Sequence, residues 1–569
     1  MRDVVDWLKL HGGVKEIDEP LDVNLEIPHV AYLDIKKEDA KPILFKNPTS
    51  KALGREYDMP VLMNIFANKA LTQDIFGAHP DTIAKEISWL LEFKPPKGFL
   101  AKLKALPRLL KLRSVFPKRL KMRGECQEVV CDTIDLDMFP ILKTWSEDGG
   151  RFITMGQVYT QSLDGTKQNL GMYRLQQYDK DKLGMHWQIH KDGAHFFHEY
   201  KKAGKKMPVS VAIGGDPLYI WCGQAPMPSG MFELLLYGLI RGKNAKLVKS
   251  LTNDIYIPSD VDIVIEGYVD PNESKIEGPF GDHTGYYTLK EKFPFMHVEK
   301  ITTKKNPLFH ATHMPENGVF HNLILAKMQT MYKGHAQQFM HAFWGVGQMS
   351  FVKHAIFVNE DAPRLDAYEK IAKYILDRLD SDKILISEGI VDHLDHSSDE
   401  QFVGGKLGID ATGKKVRKVI ELLDDATLLA KMQKLDTSIQ GLKQYMTQTA
   451  NPICVVSIEK KASAKELFVR LESLQENIAA LIVVESKNND LDNPYMLLWR
   501  VANNIDAKRD IVLKPFICVD ATNKSSLDGF TREWPGDTLC DREVLEDLQK
   551  RGLVKFDDAL IKRWGLCEF

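Results

Sequence analysis

Residues 277–287 read Glu-Gly-Pro-Phe-Gly-Asp-His-Thr-Gly-Tyr-Tyr, so two acids, a histidine and two tyrosines sit among three glycines. Gly278, Gly281 and Gly285 open backbone angles that other residues resist, and Pro279 stiffens the turn between them. Such a loop can hold Glu277 and Asp282 on one small surface, where neighbouring carboxyls split their pKa values. One acid then donates a proton while the other stays ionised. A glycine-rich hairpin with two solvated acids has the same composition, so the rest of the chain must decide.

A second set of residues lies upstream. Gln168-Asn169-Leu170-Gly171-Met172-Tyr173-Arg174 reads as one strand, and His186-Trp187-Gln188-Ile189-His190 falls on its hairpin partner. Asn169 and Arg174 differ in strand parity, so a bulge near Gly171 is required to aim both at one site. Glu233 falls in the first turn of a helix expected from Ser229, as N-cap, to about Arg241. An amide oxygen, an imidazole and a carboxylate without a thiolate make a poor zinc site, and suit a hard divalent ion such as Mn²⁺ or Mg²⁺ bridging a phosphate. Each residue also has an ordinary use: Asn169 in a hairpin, His190 in a core, Arg174 in a cross-strand ion pair, Glu233 at a helix start. Their force is joint. His190, His195 and His198, like His393 and His396, read as loop and strand histidines rather than a second metal site.

The elements that must carry these residues follow from periodicity. Residues 1–93 alternate helical and strand-like patterns, with short buried strands at Ile43–Phe45 and Val61–Ile65 and a helix over Asp81–Phe93. Between Lys94 and Arg123 lie eleven lysines and arginines without one acid, interleaved with leucines and cut by four prolines. This basic connector is either a solvated boundary or a surface for anionic lipid or a greasy substrate. The most regular β pattern comes next: Phe152–Gln161, a turn at Asp164-Gly165, Gln168–Tyr178, a polar turn, then Leu183–His190. Strands at Pro208–Ile213 and Val261–Val269, with the helix between them, complete an open or split barrel ending near Pro315. The remainder is α/β and holds a degenerate internal repeat, about 351–414 and 478–524, each copy reading strand, helix, strand, Asp-Ala-Thr-x-Lys. The expected domains are therefore 1–123, 124–317 and 318–569.

At 569 residues the chain holds several domains of about 100 to 200 residues each. A formal charge of −2 argues against a nucleic-acid partner. Seven scattered cysteines, with no CxxC pair, indicate neither a disulfide framework nor a zinc ribbon. The start, Met1-Arg2-Asp3-Val4-Val5-Asp6-Trp7, does not read as a signal peptide, and no uncharged apolar run reaches about 18 residues, so the expectation is a cytoplasmic protein.

Taken together, QNLGMYR (168–174), MHWQIHKDG (185–193), IEGYV (265–269) and EGPFGDHTGYY (277–287) resemble the UbiD family of prenylated-flavin-dependent decarboxylases in order and spacing. The likeness extends over most of the chain, including PPKGF at 95–99 and TREWP at 531–535. It implies an α/β (α+β) protein with an N-terminal α/β domain, a central flavin-reductase-like split β-barrel and a C-terminal α/β oligomerisation domain. It implies that Asn169, His190 and Glu233 bind Mn²⁺, with a monovalent cation such as K⁺ as an optional further ion, and that the metal ties down the phosphate of prenylated FMN. Met172, Tyr173, Arg174, His186, Trp187, Gln188, Lys191 and Asp192 match the segments that contact this cofactor. Glu277, Arg174 and Asp282 match the family's acid-arginine-acid triad. Asp282 stands where other members have glutamate, as in members acting on hydroxybenzoates. Ile189 is polar in some members, and the C-terminal half is longer than in the ubiquinone-pathway enzymes, which leaves the substrate open.

The chemistry is coherent on its own terms. Loss of CO₂ from an aromatic carbon leaves an electron pair that a cofactor must accept. Arg174 can position a carboxylate, Asp282 can deliver the replacing proton, and Glu277 can orient Arg174. The expected activity is non-oxidative, reversible decarboxylation of a hydroxylated aromatic acid in quinone biosynthesis, such as a 3-polyprenyl-4-hydroxybenzoate or a dihydroxynaphthoate. A flavin prenyltransferase would supply the cofactor, and the chain would form a dimer or hexamer, cytoplasmic or peripheral at the inner membrane surface. The alternatives are a related enzyme of small phenolic or cinnamic-type acids, a non-catalytic flavin-binding or assembly subunit, and a peripheral membrane-binding protein using residues 94–123.

Overall fold

The Asp164-Gly165 turn does what its composition predicts: Gly165 takes φ +70°, and Phe152–Gln161 pairs antiparallel with Gln168–Asp179 across it. In the computed structural model, which describes residues 1–92, 112–225, 227–313, 322–416 and 420–569, this hairpin seeds an antiparallel barrel. Around it the order is Lys182–Gly184, Gln168–Asp179, Phe152–Gln161, Met207–Ile213, Ile263–Val269 and Phe295–Thr303. The barrel is closed, because Lys182, Leu183 and Gly184 pair with His297, Met296 and Phe295. Closure leaves these six strands without a free edge. Val158, Leu170, Leu175, Val211, Ile265 and Ile301 are buried from successive strands, each worth roughly 1.5–3 kcal/mol of removed apolar surface.

Contacts gather the chain into two compact units: Met1–Gly281 with Leu289–Met314 and Cys540–Lys555, and Asp282–Thr288 with Pro315–Leu539 and Phe556–Phe569. Within the first, a small sheet runs Lys15–Ile17, Ile43–Phe45, Val61–Met63 and Phe309–His310. The expected helix spans Pro80–Glu92, where proline at the start has no intrahelical amide to lose. Ile83 is buried, and Ile87 packs on the core that also takes Leu170, Leu218 and Leu234. Of the basic connector, residues 94–111 lie outside the described residues.

Three local expectations are corrected. The strand predicted over Leu183–His190 stops at Gly184: Met185 donates to Pro294, Trp187 to Met185, and the chain turns out of the sheet. The helix predicted from Ser229 begins at Leu234 with Glu233 as N-cap. Ser229 does not cap because its hydroxyl donates to Asp192 at 3.1 Å, while the Gly230 amide takes the other oxygen of Asp192 at 2.9 Å. The register shift lies between Tyr173 and Leu175, at Arg174 itself, and pairing runs regularly through Gly171.

In the second unit two sheets share one plan. In the first, Leu323–Met328, His354–Asn359 and Val403–Ala411 are parallel and Ile384–Ile390 lies antiparallel at the edge. In the other, Ile453–Ile458, Ala480–Glu485 and Ile517–Asp520 are parallel, Ile511–Val512 is the antiparallel edge, and Ile439–Tyr445 adds a fifth strand. The turns after the third parallel strands match: Asp410 accepts the Thr412 amide and hydroxyl at 3.0 and 2.6 Å, and Asp520 accepts those of Thr522 at 3.0 and 2.6 Å. Among the described residues no helix is long and apolar enough to cross a membrane.

Candidate active site

The bulge at Arg174 turns its side chain onto Glu277, 103 residues away. Nε lies 3.2 Å from Oε1 and an Nη 3.0 Å from Oε2, the paired geometry that suits guanidinium and carboxylate. Because the chain leaves the sheet after Gly184, the His186 ring is brought to the same carboxylate, with Nδ1 2.8 Å from Oε2. The shorter distance to the carboxylate assigns the Nδ1 proton to Glu277 rather than an acceptor role toward Arg174 at 3.1 Å. Glu277 is 1 % exposed. Burial alone would raise its carboxyl, but Arg174 and His186 outweigh that and hold it near 2. Glu277 is thus the permanently ionised acid. The Arg174 guanidinium also lies 4.8 Å from the centre of the Phe280 ring, and the His186 ring packs tilted against Phe293, centroids 4.2 Å apart.

Asp282 opens the second unit. Its Oδ1 accepts the His283 amide at 2.6 Å and lies 2.6 Å from His283 Nδ1. The segment is anchored to the Pro494–Asn504 helix, a partnership no sequence pattern marked. Trp499 donates to the Thr284 carbonyl at 2.8 Å, and the Tyr286 hydroxyl sits between Arg500 and Asn504, 2.6 Å from each. Arg500 is itself held by both oxygens of Asp537 at 2.9 and 2.7 Å. His283 and Thr284 line a small cavity with Asn322, Asp395, His396 and Asn503. His396 is buried and held far below the usual histidine range by burial, so it faces this cavity neutral.

The residues expected to hold metal and cofactor are all in the first unit. The Glu233 carboxylate accepts the Leu170 amide at 2.6 Å, which brings it beside Asn169; the Asn169 amide group donates to Thr160 at 3.4 Å. Burial pushes the Glu233 carboxyl up to about 7. A buried carboxyl poised in this way gains from a cation. His190 stands exposed on the turn, its amide donating to Gln188 at 2.9 Å. Among the described residues no three His, Cys, Asp or Glu side chains form a group that could hold a metal ion. Tyr173 and Trp187 are buried at 5.3 Å edge-to-face, and the Tyr173 hydroxyl and Trp187 indole N–H are buried without hydrogen-bond partners among the described residues. Lys191 reaches the Met172 carbonyl at 3.3 Å, and Asp192 holds the Ser229-Gly230 turn. An amide oxygen, a carboxylate and an imidazole are donors that would suit a hard divalent ion, and the aromatic faces with the lysine would suit a flavin and its phosphate.

Comparisons with known proteins span most of the chain. The N-terminal domain of the 3-octaprenyl-4-hydroxybenzoate carboxy-lyases matches residues 5–91, their Rift-related domain 118–317, and their C-terminal domain twice, at 298–411 and 418–534. An uncharacterized protein of Helicobacter pylori is 49 % identical over 100 % of this chain and 98 % of its own. In fold, the chain is similar to the vanillic acid decarboxylase of Sedimentibacter hydroxybenzoicus in closed form, with TM-score 0.62, 19 % identity, and 76 % and 98 % of the two chains covered. It is also similar to the UbiD-class enzyme HmfF of Pelotomaculum thermopropionicum in complex with FMN, with TM-score 0.60, 22 % identity and coverage of 73 % and 94 %. An evolved dimeric form of HmfF in complex with prFMN matches with TM-score 0.57, 21 % identity and coverage of 73 % and 96 %. With the three family domains in order along its length, the chain belongs to the UbiD family of carboxy-lyases.

Proposed function

We propose that this carboxy-lyase removes CO₂, reversibly and without net oxidation, from a hydroxylated aromatic acid, using prenylated FMN and Mn²⁺. The observation that carries the reading is the buried set of Arg174, Glu277 and His186, whose loop runs directly into Asp282. When bound, prenylated FMN supplies the electron sink that an aromatic carbon lacks. Asn169, His190 and Glu233 would hold the metal, with Met172, Tyr173, Arg174, His186, Trp187, Gln188, Lys191 and Asp192 around the cofactor.

The residues divide the remaining work. Arg174, kept cationic and oriented by Glu277, meets the substrate carboxylate. As the bond to the carboxyl carbon breaks, CO₂ leaves without the bonding electron pair, which ends in the ring carbon's new bond to hydrogen. Glu277, held near 2, cannot be the proton source at neutral pH. The proton that replaces CO₂ comes instead from Asp282, which His283 holds in place. In the reverse direction Asp282 takes that proton back.

For substrate, two of the matches support a phenolic acid. The matched domains carry the name of a 3-octaprenyl-4-hydroxybenzoate carboxy-lyase, and the neighbour in fold acts on vanillic acid. A 3-polyprenyl-4-hydroxybenzoate or a dihydroxynaphthoate of quinone biosynthesis is the reading we favour, with a flavin prenyltransferase as supplier and a homo-oligomer as the working form. The test is to produce the chain alongside a flavin prenyltransferase, identify the released flavin by mass and absorbance, and follow CO₂ release and labelled bicarbonate exchange over a panel of aromatic acids. Folded, Mn²⁺-supplied protein that carries no flavin would overturn the proposal.

A further inference from the structure

Three peptides of the Gly278–Gly281 turn are fastened to residues more than a hundred positions away. The Asp148 side chain, 4 % exposed, accepts the amides of Thr144 at 3.1 Å and Trp145 at 2.9 Å on Oδ2, and the amide of Gly281 at 2.8 Å on Oδ1. Gly149 donates to the Pro279 carbonyl at 2.7 Å. Gln176, on the barrel strand of Arg174, closes the clamp by donating to the Gly149 carbonyl at 3.0 Å and accepting the Gly278 amide at 2.9 Å. There is no slack in this arrangement: a Cβ on Gly149 would stand 2.1 Å from the Gly278 carbonyl oxygen.

We propose that Asp148 is a positioning residue for the decarboxylation: by holding Gly281 it fixes the turn that presents Glu277 to Arg174 and from which the chain passes into Asp282. Its bearing on turnover rests on the function proposed above; the clamp itself does not. An ionised carboxylate is acceptor-only and takes all three amides best through its two oxygens, whereas an asparagine would turn an N–H₂ toward an N–H. Burial pushes the Asp148 carboxyl up to about 6, against the amides of Gly281, Trp145 and Thr144 that favour the ionised form, as does the charge of Lys143. Below that pH one oxygen carries a proton and the clamp loses an acceptor.

The experiment uses the full chain carrying its flavin, wild type against Asp148→Asn. Hydrogen exchange of peptides over 277–281 is measured with the barrel-strand peptides as the folding control. We expect exchange at 278–281 to accelerate about tenfold while the barrel strands stay protected. Flavin per chain stays the same and KM moves less than twofold, but kcat falls about tenfold or more as the turn drifts. The wild-type kcat also loses a step as pH falls through about 6, and the asparagine variant lacks that step. Unchanged exchange at 278–281, a wild-type kcat and pH profile, or loss of flavin in proportion to activity would each overturn the proposal. Should the variant fail to fold, Gln176→Leu, which removes the Gly278 bond, carries the same exchange and kcat test. If the wild type turns over no aromatic acid, the decarboxylase reading falls while the exchange data still decide the clamp.

Discussion

Replacing Glu277 by glutamine keeps its shape and deletes its charge, and the structure sets the size of the effect. Its carboxyl stands near 2 against an ordinary 4.5, and that drop corresponds to about 3 kcal/mol in favour of the ionised, folded form. The variant also leaves Arg174 buried with half a partner, and breaking a buried pair costs roughly 3–5 kcal/mol. At pH 7 we therefore expect Glu277→Gln to destabilise the barrel unit by about 3–5 kcal/mol. The pH dependence follows from the sign. A carboxyl depressed in the folded state contributes stability that is present above about 4.5 and lost as pH falls toward 2. By pH 3 more than half of the pair's share is gone, so wild type and variant converge. Urea unfolding followed by far-UV ellipticity at pH 7, 5, 4 and 3 measures this directly. A difference under about 1 kcal/mol at pH 7, or one that does not shrink between pH 5 and 3, would refute the reasoning.

Other outcomes follow from the same kind of accounting. Lys406 is 1 % exposed, its ammonium meets only the Ser350 and Val352 carbonyls among the contacts described, and burial lowers it to about 7. Lys406→Met should therefore raise the melting temperature most below pH 7, with the gain fading between 7 and 10.5; a pH-independent effect would contradict this. Tyr286→Phe removes the hydroxyl shared by Arg500 and Asn504 and should cost the second unit about 1–3 kcal/mol and speed amide exchange over 282–288. Unchanged exchange there would show that Trp499 alone holds the segment. Glu233→Gln should leave thermal stability near wild type, or raise it, while bound manganese and flavin per chain fall sharply in atomic-emission and absorbance assays. Full metal and flavin content in the variant would remove Glu233 from the metal set.

Much of the barrel was legible because it rests on local signals. Asp164-Gly165 between alternating runs is a strong hairpin signal, and outside the barrel Ile43–Phe45 and Val61–Met63 are short apolar runs that form strands of the small sheet. Arg174 and Glu277 could be singled out as residue types that do chemistry, although nothing in their spacing says that they meet. What stayed hidden depends on tertiary choice. Ser229 has the composition of a cap, but Asp192, 37 residues earlier, offers its hydroxyl a better partner. His186 reads as a strand residue until the sheet ends at Gly184 and frees it to turn. Asp148 and Gly149 belong to no periodic pattern at all, and only the approach of Gly149 to Gly278 reveals why a side chain is excluded there.

The matched sheets of the second unit amount to an experiment that the chain has run on itself. Both keep the aspartate-threonine turn after the third parallel strand, so that feature belongs to the shared plan. The helices between the second parallel strand and the antiparallel edge do not agree. Pro494–Asn504 carries the tryptophan and arginine that grip residues 284–286, whereas Tyr368–Leu376, in the equivalent place, reads YEKIAKYIL and has neither. Divergence between twins under one set of folding constraints separates duty from scaffold without reference to any other organism's protein. On that measure Trp499 and Arg500 are the part of their helix that the shared plan does not require, and what they add is the hold on residues 284–286.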